Sequence, residues 1–215
     1  GNMIWRKTIG NAFEEVFLSI QVTKNNTEYL LGGREGYYNM SNPYFDFGIV
    51  RTDTAGNLIW RNTYGTPSGN EPCGSAVYTL DGGYVLSGTY SGQGALMKLD
   101  AVGNLKWIKY LPMGTNDWIP TVKQLPDSSF IMIGGAEYGA NVEYTGFLLK
   151  TDKNGNQIWQ RRFKGKPIID DYFYGFNTTS DGGFIITGQY NNIGQPYQNL
   201  WLIKTDSLGC DTAVC

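Results

Sequence analysis

The chain has 215 residues, 14% of them aromatic, with 29 glycines and a formal net charge of −2. Such a balanced and low charge provides no basic surface for nucleic acid. The sequence also has no run of 18 apolar residues of the kind that a membrane-spanning helix needs. Because it contains no histidine, a Ser-His-Asp triad, a histidine-ligated zinc and a histidine general base are all excluded.

The three cysteines are Cys73, Cys210 and Cys215, and their spacing does not match a metal site. Cys210 and Cys215 are close enough in sequence to form a small disulfide, which leaves one cysteine over. A disulfide is typical of oxidising compartments. We therefore expect an extracytoplasmic protein, either secreted or anchored to the cell surface.

One phrase occurs four times along the chain. It begins as "GNMIW" ending at Trp5 and continues as "TDTAGNLIW", "LDAVGNLKW" and "TDKNGNQIW", which end at Trp60, Trp107 and Trp159. Between these copies lie "NTEYLLGG", "DGGYVLSG", "DSSFIMIG" and "DGGFIITG". A third repeated phrase is an apolar run with a cation two residues before Asp53, Asp100, Asp152 or Asp206. Repeats of about 50 residues predict a β-propeller.

Each repeat predicts four short strands, which we call A to D. An Asp-Gly-Gly type of turn joins strands A and B, and Asp-x-x-Gly-Asn joins strands C and D. Glycine adopts the positive φ that tight turns require, and the aspartate side chain accepts hydrogen bonds from the backbone that follows it. No helical periodicity of useful length is present, so the predicted fold class is all-β.

The chain starts at strand D and ends with a strand C that has no tryptophan strand after it. We therefore predict a closed four-bladed propeller with four antiparallel strands per blade, in which the N-terminal strand completes the last blade and hides both edges. The alternative is a fragment of a larger propeller. The predicted single domain spans residues 1–215, with repeat units at about 10–64, 65–111, 112–163, and 164–209 plus 1–9.

The phrase (T/L)D-x-x-G-N-x-x-W resembles the tryptophan motif of quinoprotein-like propellers and of the lipoprotein propellers of outer-membrane assembly. It is also similar, more loosely, to the Asp-box turns of sialidase-type propellers. The whole unit resembles repeats in secreted or lipid-anchored proteins of Bacteroidetes-type bacteria. The resemblance implies that the tryptophan docks between blades and that Asp and Gly shape the turn. It implies no catalytic residue.

We name the two ends of the blades by their connections. The turn face carries the short A–B and C–D turns, and the loop face carries the B–C loops and D–A connections, which vary in length and composition. Variable loops on a rigid scaffold are where binding usually occurs. The predicted ligand-binding residues are Tyr37, Tyr38, Tyr44, Trp118, Tyr190 and Tyr197. Tyrosine with Asn and Gln can stack on sugars or contact proteins, and the same rings can instead cover the blade ends.

Carboxylates recur at the predicted start of strand A, at Glu71, Asp117 and Asp171, with Glu15 beside the matching position of the first repeat. If they converge on the axis, they would repel one another and could hold Ca²⁺. Two of them could instead act as a glycosidase pair. The structural alternative is that each accepts backbone N–H bonds and fixes blade-to-blade docking.

Three functions remain open on this basis. The first is a non-catalytic extracytoplasmic binding or scaffold module that contacts a glycan or a protein through the loop face. The second is a glycoside-acting enzyme that uses the carboxylates named above. The third is a purely structural repeat domain.

Overall fold

The computed structural model describes residues 1–10, 14–23, 25–37, 44–66, 69–138, 143–163, 171–191 and 198–211, with only the backbone described for Tyr37, Glu143 and Asn191. These residues form fifteen strands in four antiparallel sheets and no helix. The all-β fold class with four propeller-type blades is therefore confirmed. No helix in this part of the chain is long and apolar enough to cross a membrane.

Three sheets have four strands in sequential order, as predicted. The first is β1 (Glu14–Val22), β2 (Glu28–Tyr37), β3 (Tyr44–Asp53) and β4 (Leu58–Tyr64). The second is β5 (Cys73–Tyr78), β6 (Tyr84–Tyr90), β7 (Gln93–Leu99) and β8 (Leu105–Tyr110). The third is β9 (Thr115–Gln124), β10 (Phe130–Tyr138), β11 (Glu143–Thr151) and β12 (Gln157–Phe163).

The fourth sheet differs from the prediction. It contains three strands in the described residues, β13 (Tyr172–Thr178), β14 (Phe184–Asn191) and β15 (Gln198–Thr205). Residues 1–10, which include the predicted last strand, are described but belong to no strand. Closure of the ring through the N-terminal strand therefore stays a prediction.

The N-terminal segment nevertheless has a defined place on the first blade. The Trp5 ring lies 6.3 Å from the Tyr29 ring, and Lys7 Nζ donates to Asn57 Oδ1 at 3.2 Å. Trp60 contacts Tyr84 in the same way, with ring centroids 5.5 Å apart. Trp60, on strand D of the first blade, thus packs against strand B of the second blade. Trp5 of the N-terminal segment makes the equivalent contact with strand B of the first blade.

The turns follow their predicted chemistry. In each C–D turn the aspartate Oδ1 accepts two backbone N–H bonds, for example from Val102 and Asn104 to Asp100 at 3.0 and 2.8 Å. Gly103, the glycine of that turn, has a φ of 89°, a conformation that costs other residues strain. The B–C connection of the second blade is a tight hairpin through Ser91 and Gly92, both with positive φ.

The chain divides into two compact units, Gly1–Tyr110 and Leu111–Cys215, and each contains two blades. In the first unit β1 faces β5, where Ser19 Oγ accepts the Ala76 N–H at 3.0 Å and Gln21 Oε1 accepts the Tyr78 N–H at 2.5 Å. A side chain at Gly32 would collide with the Ala76 backbone, so glycine permits this close approach. The core of this unit includes buried residues from both blades, such as Phe47 and Leu86.

The second unit is built in the same manner. Thr121 Oγ1 donates to the Tyr174 carbonyl at 3.2 Å, and Lys123 Nζ donates to Asn177 Oδ1 at 2.8 Å, so β9 lies beside β13. Its core contains Ile133, Leu148, Phe163, Phe173 and Ile186 among other buried residues. Trp201, on β15, packs against this core. The prediction of one single domain over both units stays a prediction.

The two cysteines that the structure describes differ in state. Cys73 is a free thiol, completely buried, and burial raises its pKa far above the ordinary value. Cys210 is disulfide-bonded. Cys215, the partner predicted for it, lies outside the described residues.

Candidate functional site

Of the six residues predicted to bind a ligand, half have described side chains. Tyr44, Trp118 and Tyr190 are each partly exposed. Tyr190 packs edge-on against Trp201 with ring centroids 5.9 Å apart. Tyr37 is described only as backbone, paired with Tyr44 across β2 and β3. Tyr38 and Tyr197 lie outside the described residues.

Trp118 belongs to a group of four aromatic rings in the second unit, which we call the aromatic cluster: Trp118, Tyr144, Tyr172 and Tyr174. The Trp118 ring lies 6.5 Å from Tyr172 and 6.0 Å from Tyr174, and the Tyr144 ring lies 5.0 Å from Tyr172. The rings of Tyr172 and Tyr174 are stacked with an interplanar angle of 22°. Tyr174 is 49% exposed, so the cluster has an accessible aromatic surface.

Strand geometry and register bring these rings together. Tyr172 and Tyr174 are two residues apart on β13 and therefore point to the same side of the strand. Trp118 lies near the start of β9, where it pairs with Gly135, and the Asp171 N–H beside Tyr172 donates to the Tyr144 carbonyl at 3.1 Å. All four residues lie at the loop-face ends of their strands.

Polar groups lie next to the aromatic cluster. Asn116, with a φ of 50°, donates from Nδ2 to Glu137 Oε2 at 2.7 Å, and its carbonyl accepts the Tyr144 hydroxyl at 3.4 Å. Thr115 Oγ1 donates to the same Glu137 oxygen at 3.2 Å. Thr115 and Asn116 are exposed, so amide, hydroxyl and carboxylate groups are accessible beside the rings.

The predicted carboxylates of the second unit are buried. Asp117 is 1% exposed and accepts the Met113 N–H on Oδ2 at 3.3 Å. Asp171 is 7% exposed. The Asp171 N–H donates to the Tyr144 carbonyl and so joins the start of β13 to β11. The donor to Asp117, Met113, lies four residues earlier in the chain, so a role of these carboxylates in blade-to-blade docking stays a prediction.

In the first unit Glu71 is fully buried and accepts from Thr66, from Oγ1 at 2.8 Å and from the backbone N–H at 3.1 Å. Its own N–H donates to the Phe45 carbonyl at 2.6 Å. Glu15 accepts from Arg61 at 2.7 Å, and the same guanidinium donates to Glu35.

Asp46 lies beside Glu71 and near Glu35, and the sequence analysis did not identify it as part of this group of carboxylates. Burial raises its pKa, the negative charges of Glu71 and Glu35 raise it further, and a hydrogen bond with Glu71 adds to the effect. Asp46 Oδ1 is buried without a hydrogen-bond partner. The carboxyl groups of Asp46 and Glu71 therefore lie close together at the loop-face end of β3, where their repulsion when both are ionised favours a proton on Asp46.

In the described part of the chain, no group of three or more carboxylate or thiol side chains is arranged to hold a metal ion. The calcium site at Glu15, Glu71, Asp117 and Asp171 therefore stays a prediction. Each of these carboxylates already has a partner within the protein.

Sequence reasoning found Trp118 but missed the three tyrosines around it. The signal for two of them was the segment "YFYG" at 172–175, where alternate tyrosines on a short strand share one side. Tyr144 had no such signal, because its position beside Tyr172 depends on packing between β11 and β13.

No family model matches this sequence, and the search of the curated proteins finds no match. Among solved structures, the chain is similar to Drosophila Plexin A in complex with Semaphorin 1b, with 10% identity, a TM-score of 0.44, and coverage of 92% of this chain and 53% of the plexin chain. It is also similar to a protein of unknown function from Bacteroides caccae, with 12% identity, a TM-score of 0.41, and coverage of 96% and 82%. The chain thus spans about half the length of the plexin chain.

Proposed function

We propose that this protein is a non-catalytic, extracytoplasmic binding module that contacts a glycan or a protein through its loop face. The observation that carries the proposal is the aromatic cluster of Trp118, Tyr144, Tyr172 and Tyr174, which exposes stacked rings at one end of two blades. The disulfide at Cys210 supports the extracytoplasmic location, because such bonds persist in oxidising compartments.

A glycan suits this surface better than a protein does. A sugar ring has an apolar C–H face, which stacks on aromatic rings, and a rim of hydroxyl groups, which need donors and acceptors. Tyr174 offers the ring, and Thr115, Asn116 and Glu137 offer polar groups beside it.

The carboxylates support binding rather than glycoside chemistry. A glycosidase needs two carboxyl groups roughly 5 to 9.5 Å apart on either side of an accessible sugar bond. Glu71, Asp117 and Asp171 are all at least nine-tenths buried, and Glu15 is bound to Arg61. These groups are therefore occupied within the fold.

The test is a glycan array probed with the wild-type protein and with Tyr174→Ala. The matched control is Tyr110→Ala, a tyrosine of nearly equal exposure (48%) in the other unit. We expect wild type and Tyr110→Ala to bind the same glycans and Tyr174→Ala to lose them, with a drop in affinity of about tenfold or more. Equal binding by all three proteins would refute the assignment of the site. An array without any bound glycan would refute the glycan form of the proposal.

A further inference from the structure

The turn face contains a side-chain interaction that three of the four blades share. The aspartate of the A–B turn pairs with the lysine of strand C in Asp81–Lys98 at 2.8 Å, Asp127–Lys150 at 3.1 Å and Asp181–Lys204 at 2.8 Å. In the second and fourth blades a threonine two residues earlier completes the group, since the hydroxyls of Thr79 and Thr179 donate to Asp81 and Asp181. In the second blade the buried Thr79 hydroxyl and the Lys98 cation thus both have hydrogen-bond partners.

The first blade lacks this arrangement. Its A–B turn is one residue longer, because the Thr23 N–H donates to the Glu28 carbonyl, whereas the Thr79 N–H donates to the Gly83 carbonyl. Asn25 stands where the other turns have aspartate. The strand C cation is Arg51, which pairs with Glu28 instead of with the turn.

Thr23 consequently has no partner for its hydroxyl. The residue is 8% exposed, and its Oγ1 is buried without a hydrogen bond. A buried hydroxyl that loses its bonds to water costs free energy unless another group replaces them. In the second blade the equivalent Thr79 Oγ1 both donates to Asp81 at 2.6 Å and accepts from Lys98 at 2.9 Å.

A pocket lies at this same place. It is lined by Thr23, Asn25, Thr27, Glu28, Arg51 and Tyr78, and it forms a cavity of about 100 Å³ that opens to solvent. A larger pocket adjoins it and shares Asn25 and Tyr78, with Val22 and Leu80 as further walls. Val22 is 49% exposed and Leu80 is 62% exposed, so an accessible apolar surface continues from the polar pocket.

We propose that this pocket on the turn face of the first blade binds a neutral, hydroxyl-rich ligand, namely a monosaccharide unit. Arg51 offers hydrogen-bond donors and Glu28 offers acceptors, and the charges of this ion pair cancel. An anionic ligand would be repelled by Glu28, and a cationic ligand would be repelled by Arg51. A hydroxyl both donates and accepts, which suits this pair, the Asn25 amide and the Thr23 hydroxyl together. The Tyr78 ring with Val22 and Leu80 suits the apolar face of a sugar.

This site is separate from the loop-face function proposed above, because it lies at the opposite end of the strands and in the other unit. The test uses saturation-transfer NMR and calorimetric titration of the whole chain with millimolar glucose, galactose, mannose and N-acetylglucosamine. The variant is Thr23→Val, which keeps the shape of the side chain and removes its hydroxyl. The matched control is Thr179→Val, whose hydroxyl already bonds to Asp181 within the fourth blade.

We expect at least one of these sugars to bind, its affinity to fall at least about tenfold in Thr23→Val, and Thr179→Val to bind as wild type. The melting temperature of Thr23→Val should not fall, because the removed hydroxyl has no partner. If that variant fails to fold, Thr27→Ala replaces it, since Thr27 is exposed. Absence of binding by wild type, unchanged affinity in the pocket variant, or an equal loss of affinity in Thr179→Val would each overturn the proposal.

Discussion

Single aspartates in this chain have opposite electrostatic environments, although many of them occupy repeated positions. Burial opposes ionisation of Asp81, but bonds from Lys98, Thr79 and the Gly83 N–H outweigh it and lower the pKa to about 2. Burial also opposes ionisation of Asp46, and there the neighbouring Glu71 and Glu35 reinforce the effect, so the pKa is raised. The ionised Asp81 side chain therefore stabilises the folded state, whereas the ionised Asp46 side chain destabilises it.

We predict that Asp46→Asn makes stability less sensitive to rising pH. The folded state binds the Asp46 proton more tightly than the unfolded state, whose ordinary pKa is 3.8, so wild type loses stability relative to the variant as pH rises above that value. Urea unfolding of both proteins between pH 3 and 7 measures this difference. A difference that is independent of pH would contradict the prediction.

Asp81→Asn serves as the control because the sign is reversed. Its lowered pKa contributes stability above the unfolded value of 3.8, and this contribution is lost as pH falls towards about 2. Wild type should therefore exceed Asp81→Asn in stability at neutral pH, and the two should converge in acid. If the stability difference from wild type changed with pH in the same direction for both variants, the two carboxyl groups would not be in the environments described.

At the scale of the element, the C–D turn is the best-defined local structure of the repeat. Asp53, Asp100, Asp152 and Asp206 each accept two backbone N–H bonds, and the glycine of each turn has a φ between 76° and 89°. Sequence alone predicted these turns because all their contacts lie within five residues. The A–B turns were equally predictable in type, but their ion pairs depend on strand C, which is far away in sequence.

We predict that Gly103→Ala lowers the free energy of unfolding by about 1–2 kcal/mol, because a left-handed conformation strains any residue with a Cβ. The built Cβ would also lie 3.2 Å from the Tyr64 hydroxyl, which packs on this turn. Denaturant unfolding measures the change. Gly175→Ala is the matched control, since its Cβ would meet nothing closer than 4.0 Å, and we expect a change within about 0.5 kcal/mol. Equal losses in both variants would reject the turn as the cause.

At the scale of the whole molecule, the two compact units and the predicted closed ring lead to different unfolding behaviour. If one domain forms over residues 1–215, the protein unfolds in one cooperative transition. Two independent units would unfold in two. The described contacts within each unit, such as Ser19–Ala76 in the first and Lys123–Asn177 in the second, are compatible with either behaviour.

We predict a single calorimetric transition whose measured enthalpy equals its van't Hoff enthalpy. We also expect removal of residues 1–9 to lower the melting temperature, because it deletes the contact of Trp5 with Tyr29 and the bond from Lys7 to Asn57. Two resolved transitions in the wild-type protein would contradict the single-domain prediction. An unchanged melting temperature after truncation would show that the N-terminal segment contributes nothing to the first blade.

The sequence by itself determined the repeat, the strand order within the three four-stranded sheets, and the C–D turns, because each of these depends on residues that are neighbours in the chain. Asp-x-x-Gly-Asn forms a turn wherever it occurs, and an apolar run before it forms a strand. The residue types at Glu71 and Asp117 were also visible, but their environment was not.

Only the tertiary structure decided which of these residues can meet a ligand. Tyr144 joins Tyr172 because β11 and β13 pack together, and Glu71 is buried because Thr66 and Asp46 enclose it. Thr23 lacks a partner because Arg51, 28 positions away, bonds to Glu28. Burial, exposure and pairing depend on contacts between residues that are distant in sequence, within a blade as well as between blades, and repeats with nearly the same local sequence can differ in all three.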